Sequence, residues 1–336
     1  MGKKTIKINL VDSYDTIEDK FLFHFLGEHY NFLVSEEPDF LFYSCVGEEF
    51  KKYKNCVKIF YTGENAVPNF NECDYAIGFD HIVFEDRYLR FPYGFEAVSS
   101  ELNNMCDITK TLAVRKFCNF VYSNSSYGEG AKLRQEFCKK LMKYKAVDCP
   151  GKVLNNMENA INPRRDGNWS SGKIDFLKNY KFTIAFENTS SIGYTTEKLC
   201  QPLQARSVPI YWGNPEAARD FNPRAFINCH EYESLDKVIE KVIELDRDDE
   251  KYLEMLMQPP LNPGFEEKFS KETVANFLVN IVEKGNKPYF KNTNVWLKKP
   301  TLGKRIVQNI FSVKNKENNK VVKILGIELK FKRRIG

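Results

Sequence analysis

Apolar and polar positions along this chain fall into short blocks whose period switches between two and about 3.6. Thr5–Leu10 (TIKINL) alternates as a half-buried strand does, and compact apolar runs follow at Asp39–Cys45 (DFLFYSC), Val57–Tyr61 (VKIFY) and Tyr75–Phe79 (YAIGF). Between the first two, Tyr14–Phe32 carries helix-like apolar spacing. A second series begins near residue 115: KFCNFVYSN reads as a strand ending in turn residues, and EGAKLRQEFCKKLMKY as an amphipathic helix with a basic last turn. Then come a Gly/Asn-rich loop containing Asn155–Gly172, a helix-like IDFLKNY, the strand KFTIAFEN, a helix from about Thr195, and the strand VPIYW ending in Gly213-Asn214-Pro215. Ser234–Met257 is a charged amphipathic helical stretch closed by the linker MQPPLNPG. Strand, loop and helix in alternation predict an α/β protein with mainly parallel sheets covered on both faces.

The length of 336 residues suits two domains, because single cores stop growing at about 250–300 residues. A hydrophobic fraction of 42% describes packed globular units rather than a disordered chain. No apolar run reaches the 18 residues of a membrane span, and the basic start MGKKTIKINLVD lacks the continuous apolar block of a signal peptide. Nine scattered cysteines without Cys-x-x-Cys spacing read as reduced thiols filling cores in a cytoplasmic setting. Charge is uneven: from Lys298 onward there are 12 Lys and Arg against 2 acids, leaving 38 against 43 upstream. That tail (RIVQNIF, then KVVKILGIELKFKRR) mixes strand and helix periods, so it reads either as a solvated basic hairpin or as a surface lying on anionic lipid. Nucleic acid is disfavoured, since the tail has few aromatics and the body is acidic.

The stretch FENTSSIGYTTEKL, Phe186 to Leu199, stands where a buried strand stops and a helix begins. Ligands of open parallel sheets bind outside the carboxyl ends of strands, where backbone N–H groups at a helix start are free to donate. Glycine lets the backbone approach, the hydroxyls and Asn188 donate, Lys198 suits a phosphate, and Glu197 suits a sugar hydroxyl. Polar loops with a threonine cap and a solvated Glu-Lys pair are also ordinary, so the residues alone leave both readings open. The Gly-Asn-Pro after VPIYW is equally consistent with a routine turn.

FENTSSIGYTTEKLCQPLQARSVPIYWGNP resembles the donor-binding signature of the α-1,3/4-fucosyltransferase family, and FYTGEN at Phe60–Asn65, with DYAIGFD and DRYLRFP after it, resembles the acceptor segment of its bacterial, Helicobacter-type members. The likeness runs from about Lys58 to Pro263 and is thin before it. It implies a GT-B architecture of two Rossmann-like domains facing across a cleft: an acceptor-binding domain at 1–112, a GDP-fucose-binding domain at 113–290, and a basic amphipathic tail at 291–336. It implies inverting transfer of L-fucose from GDP-fucose to a lactosamine-type glycan, as in Lewis-type antigen synthesis. Glu64 matches the family's base, Arg134 and Lys198 its diphosphate-binding cations, and Asn188 and Tyr194 further phosphate donors. Glu197 matches its donor-binding glutamate, with Glu187 part of the same site. The plainer alternative for Glu64 is a turn residue after Gly63, set below the base role, and without the family Arg134 reads equally as a surface residue of its helix.

No obligatory cofactor is expected, with Mn or Mg at most a non-essential aid, because the four histidines are dispersed and Asp246-x-Asp248 reads as a solvated helix face. The leucine heptads of several Helicobacter members are absent. The tail suggests peripheral attachment to the inner face of a bacterial inner membrane. The rival readings are a GT-B transferase of another nucleotide sugar and a noncatalytic glycan-binding module.

Overall fold

The computed structural model describes residues 2–14, 16–17, 21–95, 114–158 and 169–289, together with strands at 311–316, 319–324 and 327–332. The first unit is a six-stranded, wholly parallel sheet in the order β2-β1-β3-β4-β5-β6, built from β1 (Thr5–Val11), β2 (Asn31–Val34), β3 (Phe40–Tyr43), β4 (Val57–Tyr61), β5 (Tyr75–Gly78) and β6 (Tyr88–Arg90). One helix, α1 (Phe21–Gly27), lies between β1 and β2. The second unit is also wholly parallel, in the order β11-β10-β9-β7-β8, from β7 (Lys116–Asn119), β8 (Val147–Asp148), β9 (Tyr180–Phe186), β10 (Val208–Trp212) and β11 (Ile227–Asn228). Its helices are α2 (Glu129–Leu141), α3 (Trp169–Leu177), α4 (Glu197–Gln204), α5 (Leu235–Arg247) and α6 (Asp249–Leu256). The central strands β4 and β9 are buried on both faces, which explains why they read as continuous apolar runs rather than alternating ones.

Several elements depart from the sequence reading. Among the described residues, the Tyr14–Phe32 helical pattern yields α1 plus the edge strand β2, because a short apolar run carries too few turns for its period to decide. The expected loop through Gly172 gives way to helix at Trp169. The helical stretch Ser234–Met257 breaks at Asp248, whose carboxylate accepts from the Lys251 backbone N–H and caps α6. Nor is Asp246 on a solvated face: its side chain is 3% exposed and pairs with Lys145 at 3.0 Å and Lys181 at 3.4 Å. The Asp-x-Asp is therefore a cap and a buried ion pair.

Beyond the linker, α7 (Phe265–Lys268) and α8 (Lys271–Glu283) return to the first sheet. Helix α8 packs on α1, Glu283 accepts from Tyr30 Oη at 2.6 Å, and Asp39 accepts from Asn286 at 2.7 Å. Phe91 and Phe95 of the first unit meet Phe221, Phe265 and Phe269 of the later chain edge-on or tilted, with Phe95–Phe269 centroids 4.8 Å apart. Each such fully buried phenylalanine contributes about 2–3 kcal/mol. Beside them Arg90 donates to both carboxylate oxygens of Asp220 at 2.6 and 3.1 Å, both side chains buried. The two sheets thus share one apolar seam.

The tail forms a three-stranded antiparallel meander, β12 (Phe311–Lys316), β13 (Asn319–Ile324) and β14 (Ile327–Lys332), one strand more than a hairpin.

Candidate active site

The loops that follow β4, β5 and β9 converge where the two sheets meet. Asn65, in the turn after β4, donates to Thr189 Oγ1 across the cleft at 2.7 Å. Phe79, after β5, sits edge-on to Tyr194, with centroids 5.0 Å apart. Two glycines make this approach feasible. Gly193 has φ +85°, and a Cβ there would lie 2.4 Å from Phe79 O; Gly94 has φ +91°, and a Cβ there would lie 2.8 Å from the Glu197 backbone nitrogen.

The β9–α4 loop is anchored by its own carboxylate. Glu187, fully buried, accepts from the Thr196 backbone N–H at 2.8 Å and from Thr196 Oγ1 at 2.8 and 2.9 Å. Lys198 Nζ lies 3.3 Å from Glu187 and 3.2 Å from Glu197, so one ammonium bridges both acids. Burial would lower the lysine, but Glu197 and Glu187 outweigh it and hold it well above its ordinary value. Glu187 is raised, burial outweighing Lys198, while Glu197, also pushed up by burial, is carried below the usual range by Lys198 and Lys173. Thr196 caps α4 with its side chain, and Pro202 lies inside that helix two residues before its end.

Arg134 occupies neither the surface nor open cleft. Its residue is 0% exposed; NH1 donates to Asn188 Oδ1 at 3.0 Å and Phe186 O at 3.4 Å, NH2 to Asn124 O at 2.6 Å, and the guanidinium stacks over Tyr122 at 4.1 Å. It thereby pins Asn188 and two loops at the end of the second sheet. Tyr194 is buried, and its hydroxyl is raised by burial first, then by Glu187 and, after Lys198's opposing pull, by Glu64. Glu64 itself is half-buried on the turn after β4, its backbone N–H donating to Thr62 Oγ1 at 3.0 Å. The structure thus brings Glu64, Asn188, Tyr194, Glu197 and Lys198 to one cleft, with Glu187 and Arg134 beneath it.

Two participants were not singled out as site residues in the sequence. Asn214, fully buried, accepts from the Gly193 N–H at 2.9 Å and donates to Thr195 Oγ1 at 3.0 Å, so the Gly-Asn-Pro turn is a clamp on the β9–α4 loop rather than a routine reversal. Its position directly after a buried strand was the available signal. Lys173, on α3, is buried beside Glu197, and nothing local marked it. Among the described residues no three His, Cys, Asp or Glu side chains cluster as a metal site, and seven of the eight described cysteines are buried and unbridged.

Two Rossmann-like units meeting along their strand ends define the GT-B class. Residues 8–95 match the α-(1,3)-fucosyltransferase FucT N-terminal domain, and residues 113–257 match the glycosyltransferase family 10 (fucosyltransferase) C-terminal region, so the likeness reaches well upstream of Lys58. A crystal structure of an α1,3-fucosyltransferase is 30% identical and superposes with a TM-score of 0.69 over 84% of this chain and 91% of that one. Another, with GDP-fucose, is 28% identical, with a TM-score of 0.67 over 88% of this chain and 93% of that one. The α-(1,3)-fucosyltransferase FucT of Helicobacter pylori is 31% identical over 307 residues, covering 78% of this chain and 62% of that protein. The chain belongs to glycosyltransferase family 10, the fucosyltransferases.

Proposed function

We propose that this protein transfers L-fucose from GDP-fucose to the GlcNAc hydroxyl of a lactosamine-type glycan in one inverting displacement, as an α-1,3-fucosyltransferase. The observation that carries this reading is the juxtaposition of an acid on the first unit with the Lys198-bearing loop of the second: Glu64 lies on the turn whose Asn65 bonds Thr189, and its charge acts on Tyr194. Family membership and a related structure with GDP-fucose supply the donor. In the reaction the acceptor oxygen bonds to the fucose C1, the bond from C1 to the phosphate oxygen breaks with its electron pair leaving on GDP, and the acceptor proton passes to Glu64. Lys198 stabilises the departing diphosphate, and Glu197 accepts from ribose or fucose hydroxyls. Arg134 and Glu187 act from below by fixing Asn188 and Thr196.

Incubation with GDP-fucose and each lactosamine isomer, followed by linkage analysis of the product, tests this. An α-1,3-linked product with an inverted anomeric centre is expected; nucleotide release only from another sugar nucleotide would favour the rival transferase reading. The excess of Lys and Arg in the tail further supports peripheral contact with an anionic cytoplasmic membrane surface. Removing residues 298–336 should then shift the protein from membrane to soluble fraction.

A further inference from the structure

Lys198 already serves two carboxylates, and a diphosphate brought to it must compete with both. Coulomb attraction is divided among the anions that surround a single ammonium, so sharing it with phosphate leaves Glu187 and Glu197 under-compensated. A second ammonium stands beside them. Lys173 belongs to α3, which packs against α4 and β9, and the residue is only 9% exposed. Lysine is rarely buried without a charge to answer. Among the described residues, the charges that act on it are Glu197 first, then Lys198, both on the α4 against which α3 packs, and Glu187 at the end of β9; on its own helix Asp175 pairs instead with Lys178 at 2.8 Å. The four groups form a cluster of two acids and two cations, balanced only while no phosphate is present.

We propose that Lys173 is the positioning cation of the diphosphate site, holding Glu197 in place once the charge of Lys198 is shared with a nucleoside diphosphate. This rests on the donor-site reading above and adds to it a residue that acts through Glu197. Burial pushes the Lys173 ammonium down to about 8, against the upward pull of Glu197 and Glu187, so it is partly neutral in mildly alkaline solution. Arrival of the diphosphate adds negative charge to the cluster and recharges it.

Calorimetric titration of the full chain with GDP, at pH 6.5 and 8.5 and in two buffers of different ionisation enthalpy, reads this directly. Wild type should bind GDP and take up a fraction of a proton at pH 8.5 but almost none at pH 6.5. Lys173→Met should bind about tenfold more weakly and take up no proton, the weakening matching one lost charge interaction of about one pKa unit. Lys173→Arg, permanently charged, should regain most of the affinity and still show no uptake. Lys178→Met, in the turn just after the same helix, should behave as wild type. Unchanged affinity and uptake in Lys173→Met would overturn the proposal, as would Lys173→Arg being as weak as Lys173→Met, since packing rather than charge would then be at stake. A wild type that ignores GDP would instead bring down the donor-site reading beneath it.

Discussion

The β9–α4 loop and the turn after β4 face each other across the cleft and are held in opposite ways. The first is buried, pinned by Glu187 to Thr196, by Asn214 to Gly193 and Thr195, and by Arg134 to Asn188. The second is half-exposed, and Glu64 is held through its backbone by Thr62. The donor side is preorganised, so its cations and dipoles need little rearrangement when charge develops on the leaving group. The acid side is lightly built, which, on the reading proposed above, leaves the Glu64 carboxylate to adjust to an acceptor hydroxyl. A rigid floor on one side and an adjustable acid on the other suit the transfer proposed above.

The sharpest way to break this contrast is at the base. Glu64→Ala should lower turnover about 10³-fold while GDP affinity and the unfolding midpoint stay as in wild type, since a general base supplies roughly 10²–10⁴ of the rate. Near-wild-type turnover would remove Glu64 from the chemistry. On the opposite side, Glu187→Gln should act through the scaffold. With the buried carboxylate gone, Lys198 loses one of its two partners, and denaturant unfolding should show a loss of about 2–3 kcal/mol together with weaker GDP binding. If stability held, the loop would owe its shape to something else.

The seam between the regions can be probed at Gly193. Its positive φ and the 2.4 Å approach of a Cβ to Phe79 O mean that Gly193→Ala must shift the backbone on one side. A stability cost of about 1–3 kcal/mol and a several-fold drop in transfer are expected, measured by thermal unfolding and initial rates.

The smallest effect lies at Asp80, on the first unit's side of that contact. Burial pushes its carboxyl up to about 6, against the opposing influence of its own backbone and Arg90, and its Oδ2 is buried without a hydrogen-bond partner. Because the folded value exceeds the unfolded one, the native state binds more protons between about pH 4 and 6, and this group's contribution to stability is lost as pH rises through that window. Asp80→Asn should therefore stabilise the protein by about 1 kcal/mol at pH 7.5, discounted for partial exposure, and by almost nothing at pH 4.5. Equal effects at both pH values would show that Asp80 is not charged at neutral pH in the way its burial implies.

The parallel α/β architecture and the β9–α4 loop were legible because they depend on local properties: apolar runs of strand length, and a cluster of small, polar and charged residues where β9 ends. The same locality explains the misses. NFLV at Asn31–Val34 is too short for its period to separate strand from helix, and Asp246 looks solvated until Lys145 and Lys181, distant in sequence, arrive beside it.

The sequence alone determined which segments become strands and where a charged loop interrupts them, because backbone preference and hydrophobic period act over a few residues. Only the tertiary structure decided that Arg134 is buried beneath Asn188, that Lys198 is shared between two acids, that Lys173 joins them, and that α8 returns to the first sheet. Those outcomes rest on contacts between residues tens to hundreds of positions apart. Their strength comes from burial, which turns weak surface charges into strongly coupled ones, and no local pattern states how deeply a side chain will be buried.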